Sequence, residues 1–371
     1  MEARSPRKRV RSLPSVRFLL PLLLLLTVVL SACVGGRFEA KGWSGIALSG
    51  DDLVIGATDG SLLSLRENGV RRWKFPQGES EEVAAIYAKP AISDGKAYVG
   101  EYNGFLYAID LESGNLLWKA DAGEAVVGGA VVANGKVVVG TSEGKLLAYN
   151  ANQGGTPLWE FPADGEVGKI WSSPVIHDGV IYFGALDHKM YAVSLETGLA
   201  VWNQPFEAEG AITTTPLIAD GKVFIGSFDK FFYALDASTG QMVSQLEGAG
   251  WFWGGAITDG KFIYAGNLDG YLYAWDGRSI EAQRRFFAEG AIVAPPILVG
   301  DDWIAVASDN ERVHVLDRET FAEVWTFVVG SRIRAGMASN GDLLYVSSIK
   351  NVLTALDVGE RRQLWSEPLR D

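Results

Sequence analysis

The sequence predicts an all-β protein, an eight-bladed β-propeller of four-stranded antiparallel blades, on three observations. Apolar runs of about 5–7 residues are separated by Gly- and Asp-containing turns, the pattern of successive hairpins. One kind of turn recurs at Asp59, Asn103, Glu143, Asp187, Asp229, Asp269, Asp309 and Lys350, a period of 40 to 44 residues. That period, with four short strands in each unit, is the signature of a propeller blade. A tryptophan closes most units, at Trp73, Trp118, Trp159, Trp202, Trp325 and Trp365, with Ser244 and Arg284 in its place in units five and six.

The first element in chain order is an address. Arg4, Arg7, Lys8, Arg9, Arg11 and Arg17 precede an apolar run from Phe18 to Leu30. A run this short after a basic segment reads as a secretory signal, because a membrane span needs about 20 apolar residues. It ends in Leu30-Ser31-Ala32-Cys33, which resembles the lipobox of bacterial lipoproteins. The resemblance implies cleavage after residue 32, acylation of Cys33 and permanent membrane tethering, since several acyl chains give stable anchoring. Val34 after the cysteine accords with an outer-membrane destination where the host has one. Cys33 is the only cysteine, so no internal disulfide is expected. The expected organisation is a signal peptide over 1–32, a lipidated Cys and linker over 33–42, and a propeller over 43–371.

One unit shows how the blades are written. An apolar run from Trp171 to Ile176 ends in Asp178-Gly179, and Val180–Ala185 follows as a second strand. Asp187-His188 turns the chain into Met190–Leu195, which ends in Glu196-Thr197-Gly198, and Leu199–Trp202 begins a fourth strand. The first turn recurs as Asp94-Gly95, Asn134-Gly135, Asp220-Gly221, Asp259-Gly260 and Asn340-Gly341, and Asp-Gly or Asn-Gly is the strongest short hairpin signal. The closing tryptophan lies 14 to 16 residues past the second turn, which assigns it to the outer strand and to packing against the neighbouring blade.

Phe105-Leu106-Tyr107-Ala108-Ile109-Asp110 with Ser113-Gly114 and Trp118 resembles the repeat of pyrroloquinoline-quinone (PQQ)-type propellers, and Phe232–Asp236 with Thr239-Gly240 is similar. Eight such repeats behind a lipobox resemble the BamB family of outer-membrane assembly lipoproteins. That resemblance implies a non-catalytic scaffold that binds an envelope protein, with no cofactor and with the membrane reached through the lipid anchor. A monomeric closed ring is expected.

Charge narrows the partners. The chain has a formal charge of −12, but residues 1–32 hold six basic residues and one acid, leaving 27 basic and 44 acidic residues beyond them. Such a surface repels phosphates, so nucleic-acid binding is not expected. Because strands alternate direction, the second turns and the blade-linking loops are expected on one face. That face would carry Asp59, Glu143, Asp187, Asp229, Asp269 and Asp309 from the turns. Glu79, Glu81, Glu82, Glu124, Glu166, Glu209, Glu247 and Glu289 would come from the loops. It is expected to be strongly negative, with Arg332 and Arg334 a basic exception in blade eight; turn chemistry alone accounts for most of the aspartates.

Trp251-Phe252-Trp253, assigned to the inner strand of unit six, has two readings: core packing that replaces the missing outer tryptophans of units five and six, or a partner platform. A PQQ- or metal-dependent oxidoreductase and a carbohydrate- or peptide-binding surface protein stand as alternatives. The acidic face opposes the first, since PQQ carries three carboxylates. His177, His188 and His314 show no metal-ligand spacing, and no nucleophile elbow, phosphate loop or cysteine pair occurs.

Overall fold

The computed structural model describes residues 42–78, 83–163, 165, 167–279 and 281–370, all within one compact unit, Lys41–Asp371. The expected signal segment over 1–32, Cys33, the expected linker up to residue 41, Glu79, Glu81, Glu82 and Glu166 lie outside the described residues.

Eight four-stranded antiparallel sheets follow one another, each built from four consecutive strands in sequential order. Blades 1 to 8 occupy residues 47–75, 91–121, 131–161, 175–207, 217–247, 257–287, 297–328 and 338–368. They form a ring, the eight-bladed propeller that the repeats predict. The first turns have the mirror-image conformation that matches strand twist: Asp94 and Gly95 have φ of 50° and 71°, and Asn134 and Gly135 have 49° and 71°.

A blade's apolar faces are buried between blades, so the core is divided into eight clusters, one at each interface. Closure uses the same device. Tyr345, Leu353 and Ala355 of blade 8 pack on Leu53, Ile55 and Leu63 of blade 1. Trp365 Nε1 donates to Glu67 O at 2.7 Å, and Thr58 N donates to Asn351 Oδ1 at 3.0 Å. Both end blades are complete from their own strands, so among the described residues no strand is exchanged to close the ring.

The closing tryptophans act across the interfaces. Trp73, Trp118, Trp159 and Trp202 donate Nε1–H to the carbonyls of Leu111, Ala151, Leu195 and Ala237 in the next blade, at 2.8 to 3.1 Å. Each indole lies flat on the glycine of the next blade's third turn. At Gly154 (φ 62°) a Cβ would come within 2.5 Å of the Trp118 ring, so the site excludes a side chain by sterics as well as by backbone conformation.

Interfaces 5/6 and 6/7 differ. Ser244 Oγ still donates to Gly277 O at 2.9 Å, and the Arg284 guanidinium donates to Glu319 O, but neither fills the volume of an indole. Trp275 of blade 6 fills the first gap, against Phe224 and Phe232. Phe321 of blade 7, with φ 62° where blades 2 to 5 have glycine, fills the second and stacks on Tyr264 at 6.1 Å. This corrects the core reading of Trp251-Phe252-Trp253: Phe252 is buried in the 5/6 cluster, while Trp251 and Trp253 are not core residues. They also precede the inner strand of blade 6, Ile257–Thr258, and lie in the loop that leads to it.

Blade 4 departs from its expected outer strand. Leu199–Trp202 contributes only a bridge between Val193 and Ala200, and the outer strand is Phe206–Glu207. Pro205, which lacks an N–H, sits between them.

Candidate functional site: the face of turns and linking loops

Backbone hydrogen bonds tie the second turns of blades 2 to 8 to the linking loops on one face. Tyr102 N donates to Ala85 O, Leu186 N to Lys169 O, Phe228 N to Ala211 O and Leu268 N to Trp251 O, at 2.9 to 3.1 Å. The next loop bonds back to the turn, as Val126 N does to Glu101 O. Turns and loops are therefore one layer, and its side chains divide into those that build the layer and those left to solvent.

Most turn carboxylates build it. Asp187 accepts from Gly168 N at 3.0 Å, Lys189 N at 3.2 Å and the Tyr191 hydroxyl at 2.6 Å. Asp229 repeats the set with Glu209 N at 3.0 Å, Phe231 N at 2.9 Å and the Tyr233 hydroxyl at 2.8 Å. Burial, then these carboxylates, push both tyrosines well above the usual phenol range. Asp59 accepts from Ser61 and lies 3.6 Å from Lys74. Burial opposes its ionisation, but those partners outweigh burial and hold it below the usual carboxylate range.

Glu101, fully buried, was missed by sequence reasoning. Its carboxylate accepts from Ala84 N, Asn103 N and Phe105 N at 2.9 to 3.1 Å. Its signal was an acid two positions before the turn residue Asn103, at the end of an apolar strand.

The expected charge pattern needs correction. Asp309 stands one position earlier than the other turn acids, with Asn310 in the turn position, and it pairs with Arg334 at 3.2 Å. Arg334 is thus held by the scaffold, whereas Arg332 is exposed. Glu289 pairs with Arg312 at 3.4 Å. Glu124, Glu209 and Glu247 are exposed and make no side-chain hydrogen bond or ion pair among the described residues. Lys145, Lys169, Lys230 and Lys350 occupy the same turns and loops, so the face is mixed in charge rather than uniformly negative.

Inside this charged ring the face is aromatic. Trp43, Tyr87, Trp171 and Trp253 stand at one repeat position, just before the small or hydroxyl residue that packs on the second strand. Trp43 and Tyr87, on adjacent blades, meet edge to face at 5.0 Å, and Tyr87 contacts the exposed Tyr102 at 5.8 Å. Phe228 stacks on Trp251 at 5.0 Å and 9° and on Trp253 at 5.1 Å and 21°. Alternation sends Phe252 into the core and leaves Trp251 46% exposed.

Around the ring axis the inner strands meet through small residues: Gly45 lies against Lys89 and Gly336, and Gly129 against Ser173. Lys89 is the one cation at that repeat position, and burial pushes its ammonium below the usual lysine range. A tricarboxylate quinone with a bound calcium ion needs several cations and a set of oxygen ligands. Among the described residues the inner-strand position at the axis offers Lys89 alone as a cation, and no group of three or more His, Cys, Asp or Glu side chains is placed to hold a metal. The residues present do not fit that cofactor.

The family described as outer membrane protein assembly factor BamB matches residues 41–122, 58–285 and 282–371. The BamB of Yersinia pestis is 28% identical over 180 residues, covering 47% of this chain and 44% of its own length. The chain spans less than half the length of the curated relatives it matches first. The crystal structure of BamB from Moraxella catarrhalis superposes with a TM-score of 0.72 at 20% identity, over 86% of this chain and 95% of that one. The quinohemoprotein alcohol dehydrogenase of Comamonas testosteroni gives 0.68 at 15% identity, over 85% and 71%. Both likenesses are of fold.

Proposed function

The chain belongs to the BamB family of outer membrane protein assembly factors, and we propose that it acts as a non-catalytic, lipid-anchored scaffold in the cell envelope. Its face of turns and linking loops holds an envelope protein partner. The observation that carries this reading is the family match, which runs across all eight blades. Two features support the finer points: Leu30-Ser31-Ala32-Cys33 for acylation at Cys33, and the aromatic and unpaired acidic residues of one face for partner capture. A quinone-dependent activity finds no support at the ring axis.

The test is capture from native membranes by the tagged chain. Reversing Glu124, Glu209 and Glu247 to Lys is expected to weaken capture severalfold and leave the melting temperature near wild type, because exposed charges steer association but contribute little to stability. Capture by the triple variant at wild-type level would remove this face from the reading. Cys33→Ala is expected to release the chain from the membrane fraction; unchanged fractionation would remove the anchor.

A further inference from the structure

In blades 4 and 5 the turn aspartate is bonded by a loop N–H and by a tyrosine hydroxyl, as Asp187 and Asp229 show. Blade 6 has the same residues, Asp269 and Tyr273, in the same register. Its loop bonds differently: Ala249 N donates to Tyr273 Oη at 3.2 Å. Asp269 is left exposed and makes no hydrogen bond or ion pair among the described residues. It packs on Gly250, where a Cβ would fall 2.8 Å from Oδ1, and Gly250 directly precedes Trp251. The released carboxylate therefore adjoins the exposed, stacked indole.

We propose that the Phe228–Trp251–Trp253 stack and Asp269 form a receptor for an arginine side chain presented by a protein partner. A guanidinium is planar, so it lies flat on an indole face while its N–H edge pairs with a carboxylate, which an ammonium does not reproduce. The stack is already ordered by ring contacts at 5.0 and 5.1 Å, so binding need not freeze it. The surroundings favour a cation: the turns and loops of blades 5 and 6 carry Glu209, Asp229, Glu247 and Asp269 against Lys230, with Glu289 paired to Arg312. This deepens the scaffold reading and rests on it for the partner being a protein.

The test uses the full chain labelled with 5-fluorotryptophan, with the resonances of Trp251 and Trp253 assigned from Trp251→Phe and Trp253→Phe. The probe is a blocked Gly-Arg-Gly-Arg-Gly peptide, compared with peptides carrying lysine or the neutral isostere citrulline. Saturable movement of the Trp251 resonance by the arginine peptide is expected, with citrulline about tenfold weaker and lysine intermediate. Asp269→Asn is expected to weaken the arginine peptide about tenfold with an unchanged melting temperature. Equal binding of citrulline, an unmoved Trp251 resonance, or indifference to Asp269→Asn would overturn the proposal. So would saturation of Trp251 by N-acetylglucosamine oligomers in place of the peptide. Failure here with partner capture intact leaves the scaffold reading standing; arginine binding with no partner captured sinks that reading alone.

Discussion

Interfaces 2/3 and 6/7 solve one packing problem from opposite sides. At 2/3, blade 2 supplies the aromatic: Trp118 is buried, its N–H meets Ala151 O at 3.1 Å, and the Tyr98 hydroxyl meets the same carbonyl at 2.9 Å. Blade 3 supplies the absence of a side chain, Gly154. At 6/7 the roles are exchanged: Arg284 leaves the volume open and Phe321 enters it from the turn position that glycine holds in blades 2 to 5. What is preserved from blade to blade is the filled volume, and either partner can provide it, because close packing constrains the sum of the side chains.

The largest expected effect tests that contrast directly. Trp118→Ala removes a buried indole and its hydrogen bond, and is expected to cost about 3–5 kcal/mol in denaturant unfolding. Arg284→Ala, at the same repeat position, is expected to cost under about 1 kcal/mol. Similar losses for the two would break the comparison.

A coupled pair sharpens it. Arg284→Trp alone overfills the 6/7 gap and is expected to cost about 1–3 kcal/mol. Adding Phe321→Gly removes the competing ring and a left-handed phenylalanine, recreating the 2/3 arrangement, with a favourable coupling above about 1 kcal/mol in the double-mutant cycle. Additive losses would show that filled volume is not the shared requirement.

The smallest effect is in acid. At 6/7, Tyr264 stacks on Phe321 and donates to Asp259 at 2.8 Å. Burial works against the Asp259 charge, but the N–H groups of Phe262 and Lys261, the Tyr264 hydroxyl and Arg318 outweigh it and hold its pKa below the usual carboxylate value. A carboxyl depressed on folding contributes its stability above the unfolded-state value of about 3.9 and loses it as pH falls through the folded value. Asp259→Asn is expected to cost under about 1 kcal/mol at neutral pH, given its partial exposure. The gap to wild type is expected to begin closing as pH falls below about 3.9 and to vanish once the folded carboxyl is protonated, in unfolding titrations. A gap that persists there would assign the effect to packing.

Part of the site was legible before folding. The repeat period placed seven of the eight second turns to the residue, Asp309 being the exception, and strand alternation put Phe252 opposite Trp251 and Trp253. Asp309 was misread by one position because Ser308-Asp309-Asn310 offers two turn-forming residues, and only the pairing of strands selects between them. The compensation for Ser244 and Arg284 was sought in the aromatic cluster, whereas Trp275 and Phe321 provide it. Both lie in ordinary-looking strand and turn positions, and which of two facing blades fills a gap is not a periodic property.

By itself the sequence determined the repeat, the number of blades, the turn geometry at Asp94-Gly95 and its counterparts, and the tryptophan at the outer strand. These follow from local conformation and strand periodicity, which neighbouring residues in the chain decide. Tertiary structure alone decided which charges are free. Asp187 and Asp229 are consumed by their own loop and tyrosine, Arg334 by Asp309, and Asp269 by neither, although all three aspartates sit in the same motif. The physical reason is that a carboxylate's availability depends on donors brought to it by a loop some 20 residues away, and a shift of one hydrogen bond, from Asp269 to the Tyr273 hydroxyl, leaves no trace in the order of the residues.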